Sequence, residues 1–323
     1  AASLSNMGIY GTGQSYEMLL LRMRAHPLPE ARRYAELMLE ELRKVIPSFL
    51  QRVDVPERGG VWARYFADTR ARTDEVVQRL WPDAQRPPAP QGPGVELVDW
   101  DPEGEDKVVA AMCYPRTSLP ESEVLRRVQA LGAEERRAIV QAYVGERSNR
   151  RHRPGRAFER TDYRFDIVSD YGAFRDMQRH RMLTVEWQDL GPTLGFEMPD
   201  VVADAGLDQH YESAMARSAD LYDAMASRFP VEAQYAVALA FRVRYVMQMN
   251  AREAMHVLEL RSGEQGHAAY RAVAQQMHRL VAERAGHRLI AEAMTFVDHG
   301  DYDLERLAAE RRAEARRSAA VPG

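Results

Sequence analysis

Cysteine is almost absent from this 323-residue chain. Cys113 stands alone, which excludes both a disulfide framework and a cysteine-rich metal site. Lysine occurs only at Lys44 and Lys107, so arginine carries nearly all the positive charge. That bias reflects genome composition rather than chemistry. No apolar run approaches the about 18 residues that a membrane span needs, and the N-terminus lacks the charged-then-apolar order of a signal sequence. A soluble, cytoplasmic protein without a membrane partner is the expectation. An excess of basic charge is missing too: the formal net charge is −4 with 28% charged residues, unlike a general nucleic-acid binder. Gly8-Ile-Tyr-Gly11-Thr-Gly13 is followed by no lysine, so it suits a helix N-terminus rather than a phosphate loop. The nine histidines are scattered. None shows a metal-ligand spacing with carboxylates on one helix face, so no metal is expected. His278 and His287 read as surface or helix-end residues.

What is present suffices for a core: 45% of residues are hydrophobic, and the length suggests about two domains. Residues 14–50 read as helices broken at Pro27, Pro29 and Pro47. Arg58-Gly-Gly60 reads as a turn and 63–81 as a helix. Pro82–Gly94, with five prolines and two glycines, is the clearest linker. After it, Val95–Trp100 and Val108–Cys113 read as short strands. Ser118-Leu-Pro-Glu121 has the capping-box pattern of a helix running to about Leu131, and Ala133–Glu146 reads as another helix. Asp162–Val168 alternates like a half-buried strand feeding a helix. Beyond a loop with breakers at Pro192 and Pro199, Gln209–Phe229, Val231–Arg261, Glu264–Ala285 and Arg288–Phe296 read as helical. Met247, Met249 and Met255 sit at core-like spacing in the second of these. Asp303–Arg317 reads as a charged, exposed helix.

Three stretches carry chemistry. The first is Gly172–Asp189, centred on Arg179-His180-Arg181. If it is helical, Arg175 and Arg179 stand one turn apart on one face. Paired guanidiniums repel unless an anion holds them, and arginine suits planar phosphate or carboxylate. The second is Arg147–Arg156, with five arginines and a histidine in ten residues. It reads as a solvated loop or a clamp for a small anion, because it lacks the interleaved aromatics of a stacking surface. The third is Met249–Arg261, where Asn250, Arg252, His256 and Arg261 interrupt apolar positions. Buried polar groups need partners, and Glu253 and Glu259 are candidates for inter-helix salt bridges.

Taken in order, Phe158-Glu159, a strand, Phe174-Arg175, Arg179-His180-Arg181, Asn250-Ala-Arg252 and Leu260-Arg261 resemble the flavin-dependent thymidylate synthase family across about Val95–Thr295. Leu21-Arg22, His26, Glu30-Ala-Arg32 and Tyr34-Ala35 resemble the end of such a module. The resemblance implies an α+β fold, a small mixed sheet packed with several long helices, preceded by a helical remnant of a first module. The expected layout is a remnant over 1–81, a linker over 82–94, a second module over 95–300 and a charged tail over 301–323. A start at Ala1-Ala-Ser-Leu-Ser-Asn-Met7 fits a fragment or processed piece of a tandem protein.

The resemblance also implies methyl transfer to dUMP, with methylenetetrahydrofolate as carbon donor, FAD as cofactor and NADPH as its reductant. It gives cofactor-binding roles to Arg179, His180, Arg181, Arg156, Glu159, Asn250 and Arg252. Arg175 and Arg261 match catalytic and nucleotide-binding arginines, and Arg22 and His26 match substrate-binding positions of the first module. A homo-oligomer, or assembly with the missing first-module half, is implied because family sites lie between subunits. The family's phosphate-binding serine, however, falls on Asp189, its following residues on Leu190-Gly191-Pro192, and an arginine on Gln234. Two readings therefore stand: an active synthase in a tandem or oligomeric assembly, or a degenerate flavin- or nucleotide-binding half with a structural role or another substrate. Nucleic-acid binding through Arg147–Arg156 is the alternative from a different class.

Overall fold

The computed structural model describes residues 7–82, 94–301 and Arg311. Most of the 82–94 linker and the expected tail helix thus lie outside the described residues. Along the chain run α1 (Gly13–Arg24), α2 (Pro29–Arg43), α3 (Pro47–Leu50), α4 (Gly59–Leu80), β1 (Gly94–Trp100), α5 (Gly104–Cys113), α6 (Glu121–Gln129) and α7 (Ala133–Val144). There follow β2 (Asp162–Asp170), α8 (Tyr171–Met177), β3 (Thr184–Trp187), α9 (Asp200–Asp204), α10 (Asp208–Ala226), β4 (Arg242–Asn250), α11 (Ala251–Arg261), α12 (Ala268–Glu283) and α13 (Arg288–Ala293).

The chain divides into two compact units, one formed by residues 1–88 and 214–237, the other by 89–213 and 238–323. The first is helical, with a small core of Leu20, Leu21, Ala35, Leu39, Leu50 and Val53. Gly59 and Gly60 open α4 rather than forming a turn outside it. A Cβ at Gly59 would lie 2.0 Å from the Val53 carbonyl oxygen, so only glycine allows α4 to start there.

The second unit is built on a four-stranded sheet in the order β1-β2-β4-β3. Every pairing is antiparallel, so the α+β class holds while the sheet is not mixed. In β4, Val243, Tyr245, Met247 and Met249 point into the core, while Arg242, Arg244, Val246, Gln248 and Asn250 occupy the other face. In β2, Tyr163, Phe165 and Ile167 lie beside them, opposite Met249, Met247 and Tyr245. The other face is polar and carries an Arg244–Asp166 ion pair of 3.0 Å. Helices α5, α11, α12 and α13 supply the facing core residues, among them Val108, Val257, Leu258, Val273, Met277 and Ile290.

Several sequence expectations change here. The helix expected over Val231–Arg261 is a short 3-10 turn (Glu232–Ala236), then β4, then α11. Met247 and Met249 are buried by a period of 2 on a strand, not by helical spacing. The strand expected over Val108–Cys113 is the buried end of α5. Short apolar runs fit either element, and here an acidic first turn, Glu105 and Asp106, favours the helix. The capping box at Ser118 does not form, because α6 begins after Pro120 without a side-chain cap. The reciprocal bond appears at α7 instead, where Glu135 accepts from the Gly132 N–H at 2.8 Å.

His287 stands at a helix end, as the N-cap of α13, yet it is buried, at 2% exposed. Its Nδ1 lies 2.8 Å from the Tyr163 hydroxyl. Glu105 accepts from the first N–H groups of α13, Leu289 at 2.7 Å and Ile290 at 3.2 Å. Gly104 sits against this group, and a Cβ there would fall 2.2 Å from Thr161 Oγ1 and 2.8 Å from His287 Cε1. Gly104→Ala is therefore expected to destabilise the fold by about 1–3 kcal/mol, as overpacking does, measurable by urea denaturation. Burial lowers the proton affinity of His287, more than nearby Asp101 and Asp106 raise it. The unfolded chain thus protonates this residue first, and stability present above about pH 6.5 declines as pH falls below it. His287→Gln should flatten that slope in urea midpoints measured from pH 7 to pH 5.

Candidate functional site

Three strand ends meet at one edge of the sheet. Asp162 at the start of β2 pairs with Asn250 at the end of β4, and Thr184 at the start of β3 pairs with Gln248. Whatever precedes β2, precedes β3 or follows β4 is therefore brought together. Those segments are Arg156–Arg160, Arg179–Leu183 and α11. Between them lies a cleft of about 320 Å³ lined by Asp162, Met182, Leu183, Thr184, Gln248, Met249 and Asn250.

Helix α8 ends at Met177, so Arg179-His180-Arg181 lies in the turn beyond it rather than on a helix. The helical Arg175/Arg179 pairing expected from sequence is replaced by solvent exposure of Arg175, Arg179 and Arg181. Arg179 makes a 3.4 Å contact with Asp176 and stays 73% exposed. His180 turns inward, with its side chain 4% exposed. Arg261, the last residue of α11, donates Nε to His180 Nε2 at 3.1 Å. Its other nitrogens bond Asp176, at 3.3 Å to Oδ1 and 2.5 Å to the backbone oxygen. Its guanidinium also lies 5.4 Å from the Tyr270 ring centre.

Because Arg261 has only donors, His180 Nε2 must accept and the imidazole proton resides on Nδ1. That atom lies 3.7 Å from Glu253 Oε1. The His180 and His256 rings stand edge-on with centres 5.5 Å apart. Burial lowers the proton affinity of His256, Glu253 opposes this, and Arg153, His180 and Arg150 lower it further.

Asn250 is the N-cap of α11: its Oδ1 accepts from the Glu253 N–H at 2.9 Å. A used carbonyl leaves its amide NH₂ as a donor beside the cleft. Arg252 donates Nε to the Pro154 carbonyl at 3.0 Å and Nη1 to Glu159 Oε1 at 3.1 Å. Arg156 reaches the other oxygen of Glu159 at 2.9 Å. The Arg156 hydrogen bond, with Arg252 adding to it, holds the Glu159 carboxyl below the usual range.

The structure thus gathers Glu159, Arg156, His180, Asn250, Arg252 and Arg261 in one unit. Arg22 and His26 belong to the other. Arg22 is exposed at the end of α1, and His26 Nδ1 accepts from the Leu28 N–H at 3.1 Å. Asp189 and Gly191 follow β3 in the loop, and Gln234 lies in the helical unit.

Sequence reading missed Asp176 and the roles of Glu253 and His256. The last two are one helical turn apart, a spacing that could have signalled a shared face. His180 joins them from across the site, and the donor atoms of the three lie within 4.8 Å of one another. That corrects the expectation that no histidine shows a metal-ligand spacing with carboxylates on one helix face, since Glu253 and His256 share a face of α11. A cation at this point would have to displace the Nδ1 proton of His180 and sit among Arg150, Arg153 and Arg261. The surroundings favour an anionic or hydrogen-bond-accepting group instead.

Residues 96–285 match the family model Thy1, described as thymidylate synthase complementing protein. The chain is 35% identical to a UPF0159 protein of Chlamydia muridarum over 316 residues, 98% of this chain and 59% of that protein. A UPF0159 protein of Thermoplasma acidophilum is 32% identical over 96% of this chain and 60% of its own length. The chain therefore spans about three-fifths of the curated relatives it matches. A crystal structure of the UMP/dUMP methylase PolB from Streptomyces cacaoi with 5-Br dUMP bound superposes with a TM-score of 0.52 at 18% identity. It covers 65% of this chain and 97% of that one, a likeness of fold.

The two arginine clusters should separate in stability. Arg261→Met removes partly buried bonds and should cost about 1–3 kcal/mol. Glu159→Gln removes charge from pairs with the more exposed Arg156 and Arg252 and should lower the urea midpoint less than Arg261→Met does. Equal losses would contradict the assignment of Arg261 to an internally paired role.

Proposed function

On the premise that this chain belongs to the Thy1 family of thymidylate synthase complementing proteins, we propose that it is an FAD-dependent, thymidylate synthase-like protein. It methylates dUMP with methylenetetrahydrofolate and NADPH, within an assembly that includes the remainder of the longer protein or a second copy. The observation that supports this best is that Asn250 lines the cleft with its side chain fixed as a helix cap, while Arg252 and His180, each held by an internal partner, lie in the segments that the strand ends bring together there.

These residues fit a flavin dinucleotide. The isoalloxazine ring needs N–H donors for its carbonyls, and the Asn250 amide stands at the cleft with its oxygen fixed by the helix N-terminus. The pyrophosphate needs cations, and Arg156, Arg179 and Arg181 are exposed around the same edge. Arg252 reaches the site with two of its five donors held by Pro154 and Glu159. When bound, the reduced flavin supplies the hydride. The protein binds and orients: Arg261 fixes the tautomer of His180, and His180 presents its Nδ1 proton on the Glu253 side. The lone thiol, Cys113, is pushed up in pKa by burial, so a cysteine nucleophile is not part of this reading.

A second reading is favoured by Asp189. It is exposed after β3, at the position that the resemblance assigns to a phosphate-binding serine. A carboxylate there repels a nucleotide phosphate, and this half of the protein then holds the flavin while another segment binds substrate.

FAD titration followed by flavin fluorescence should show saturable quenching and a perturbed absorption spectrum. Absence of both would sink the cofactor reading. Asp189→Ser should strengthen dUMP binding by about tenfold or more, since a hydrogen bond to a charged group contributes about 1.5–3 kcal/mol. Unchanged dUMP affinity in that variant would count against a decayed phosphate site. Turnover of dUMP with methylenetetrahydrofolate and NADPH separates synthase from degenerate half.

A further inference from the structure

The arginine-rich stretch 147–156 is not accounted for by the function above, and its first member behaves unlike the rest. Arg147 is buried, with 3% of its side chain exposed, against Glu259 of α11, with 1% exposed. The pair is bidentate, at 2.5 and 2.6 Å. Arg147 also donates Nη1 to the Ala293 carbonyl at 3.0 Å and Nε to the His152 carbonyl at 2.7 Å. Its guanidinium lies 5.1 Å from the centre of the Phe296 ring.

Replacing a buried ion pair by apolar residues of similar size is often neutral or stabilising, so the pair is weak evidence for stability alone. Its placement suggests another purpose. Arg252, His256 and Glu259 fall at i, i+4 and i+7 of α11, one face over two turns. The 147–156 segment is held at both ends of that face: by Glu259 through Arg147, and by Arg252 through the Pro154 carbonyl. His256 lies between, near enough to Arg150 and Arg153 for their charge to act on it.

We infer that Arg147 and Glu259 are positioning residues that pin the 147–156 loop along α11 and so fix the direction of Arg252, two residues beyond the cleft-lining Asn250. The pin acts through the backbone. Arg147 fixes the chain at His152, two residues before Pro154, whose carbonyl takes the Arg252 Nε proton. Glu159, the second partner of Arg252, lies just beyond the same segment. Losing the pin frees Pro154 and lets the Arg252 guanidinium swing away. The inference rests on the flavin reading only for the identity of the ligand.

The double variant Arg147→Met/Glu259→Met, which leaves no uncompensated buried charge, tests this in the full chain. Two readouts are needed: FAD affinity by fluorescence, and the rate of tryptic cleavage after Arg150 and Arg151. The expected result is a folded protein with a thermal midpoint near that of the wild type. Loop cleavage should be at least tenfold faster and FAD binding at least tenfold weaker. Faster cleavage with unchanged FAD affinity would overturn the positioning role, and unchanged cleavage would overturn the pin itself. If the double variant does not fold, Arg147→Lys takes its place, and the same two readouts decide the pin and the positioning role in the same way. A wild-type protein that takes up no FAD contradicts the cofactor reading, while the cleavage comparison still decides the pin.

Discussion

The antiparallel pairing of β2 with β4 is the constraint on which the candidate site depends. It sets Asp162 against Asn250 and, through the next pairing, Thr184 against Gln248. Chain segments separated by tens of residues then end within reach of each other. A slip of β2 by one residue against β4 would turn Tyr163, Phe165 and Ile167 to the polar face. The buried period-2 pattern of both strands forbids that slip, so the core that stabilises the sheet also fixes where the arginines and histidines meet.

Much of the second unit was legible in the sequence. Asp162–Val168 alternates apolar and polar residues, and its strand is present as β2, extended to Asp170. The helices beginning at Ala133, near Gln209, near Glu264 and at Arg288 occur close to their expected limits. The α+β class, which the family resemblance implied, accommodates these elements. β4 was hidden because Arg, Met and Gln favour helices and the segment runs directly into α11. Its strand state is set by β2, a partner about eighty residues away in the chain, and local propensity cannot register such a partner. The α5 segment failed in the opposite sense, since Val108–Cys113 is apolar enough to suit a buried element of either kind.

The site was legible in residue type but not in geometry. Arg179-His180-Arg181 and Asn250–Arg261 stood out as polar groups in unusual places. Which of them face a ligand depends on partners that only the fold supplies. Arg261 is spoken for by Asp176 and His180, whereas Arg179 and Arg181 are exposed. Asn250 has a capping role that its position before a helix could have announced. Arg147 looked like one of five solvated arginines, and its burial against Glu259, 112 residues on, left no local trace.

The central claim is that three converging strand ends form a flavin site on this half of the protein. A crystal structure of the protein soaked with FAD tests it most directly. The account predicts isoalloxazine density in the cleft bordered by Asp162, Thr184 and Asn250, with the pyrophosphate toward the exposed arginines. Ordered FAD bound elsewhere, with that cleft empty, would contradict it.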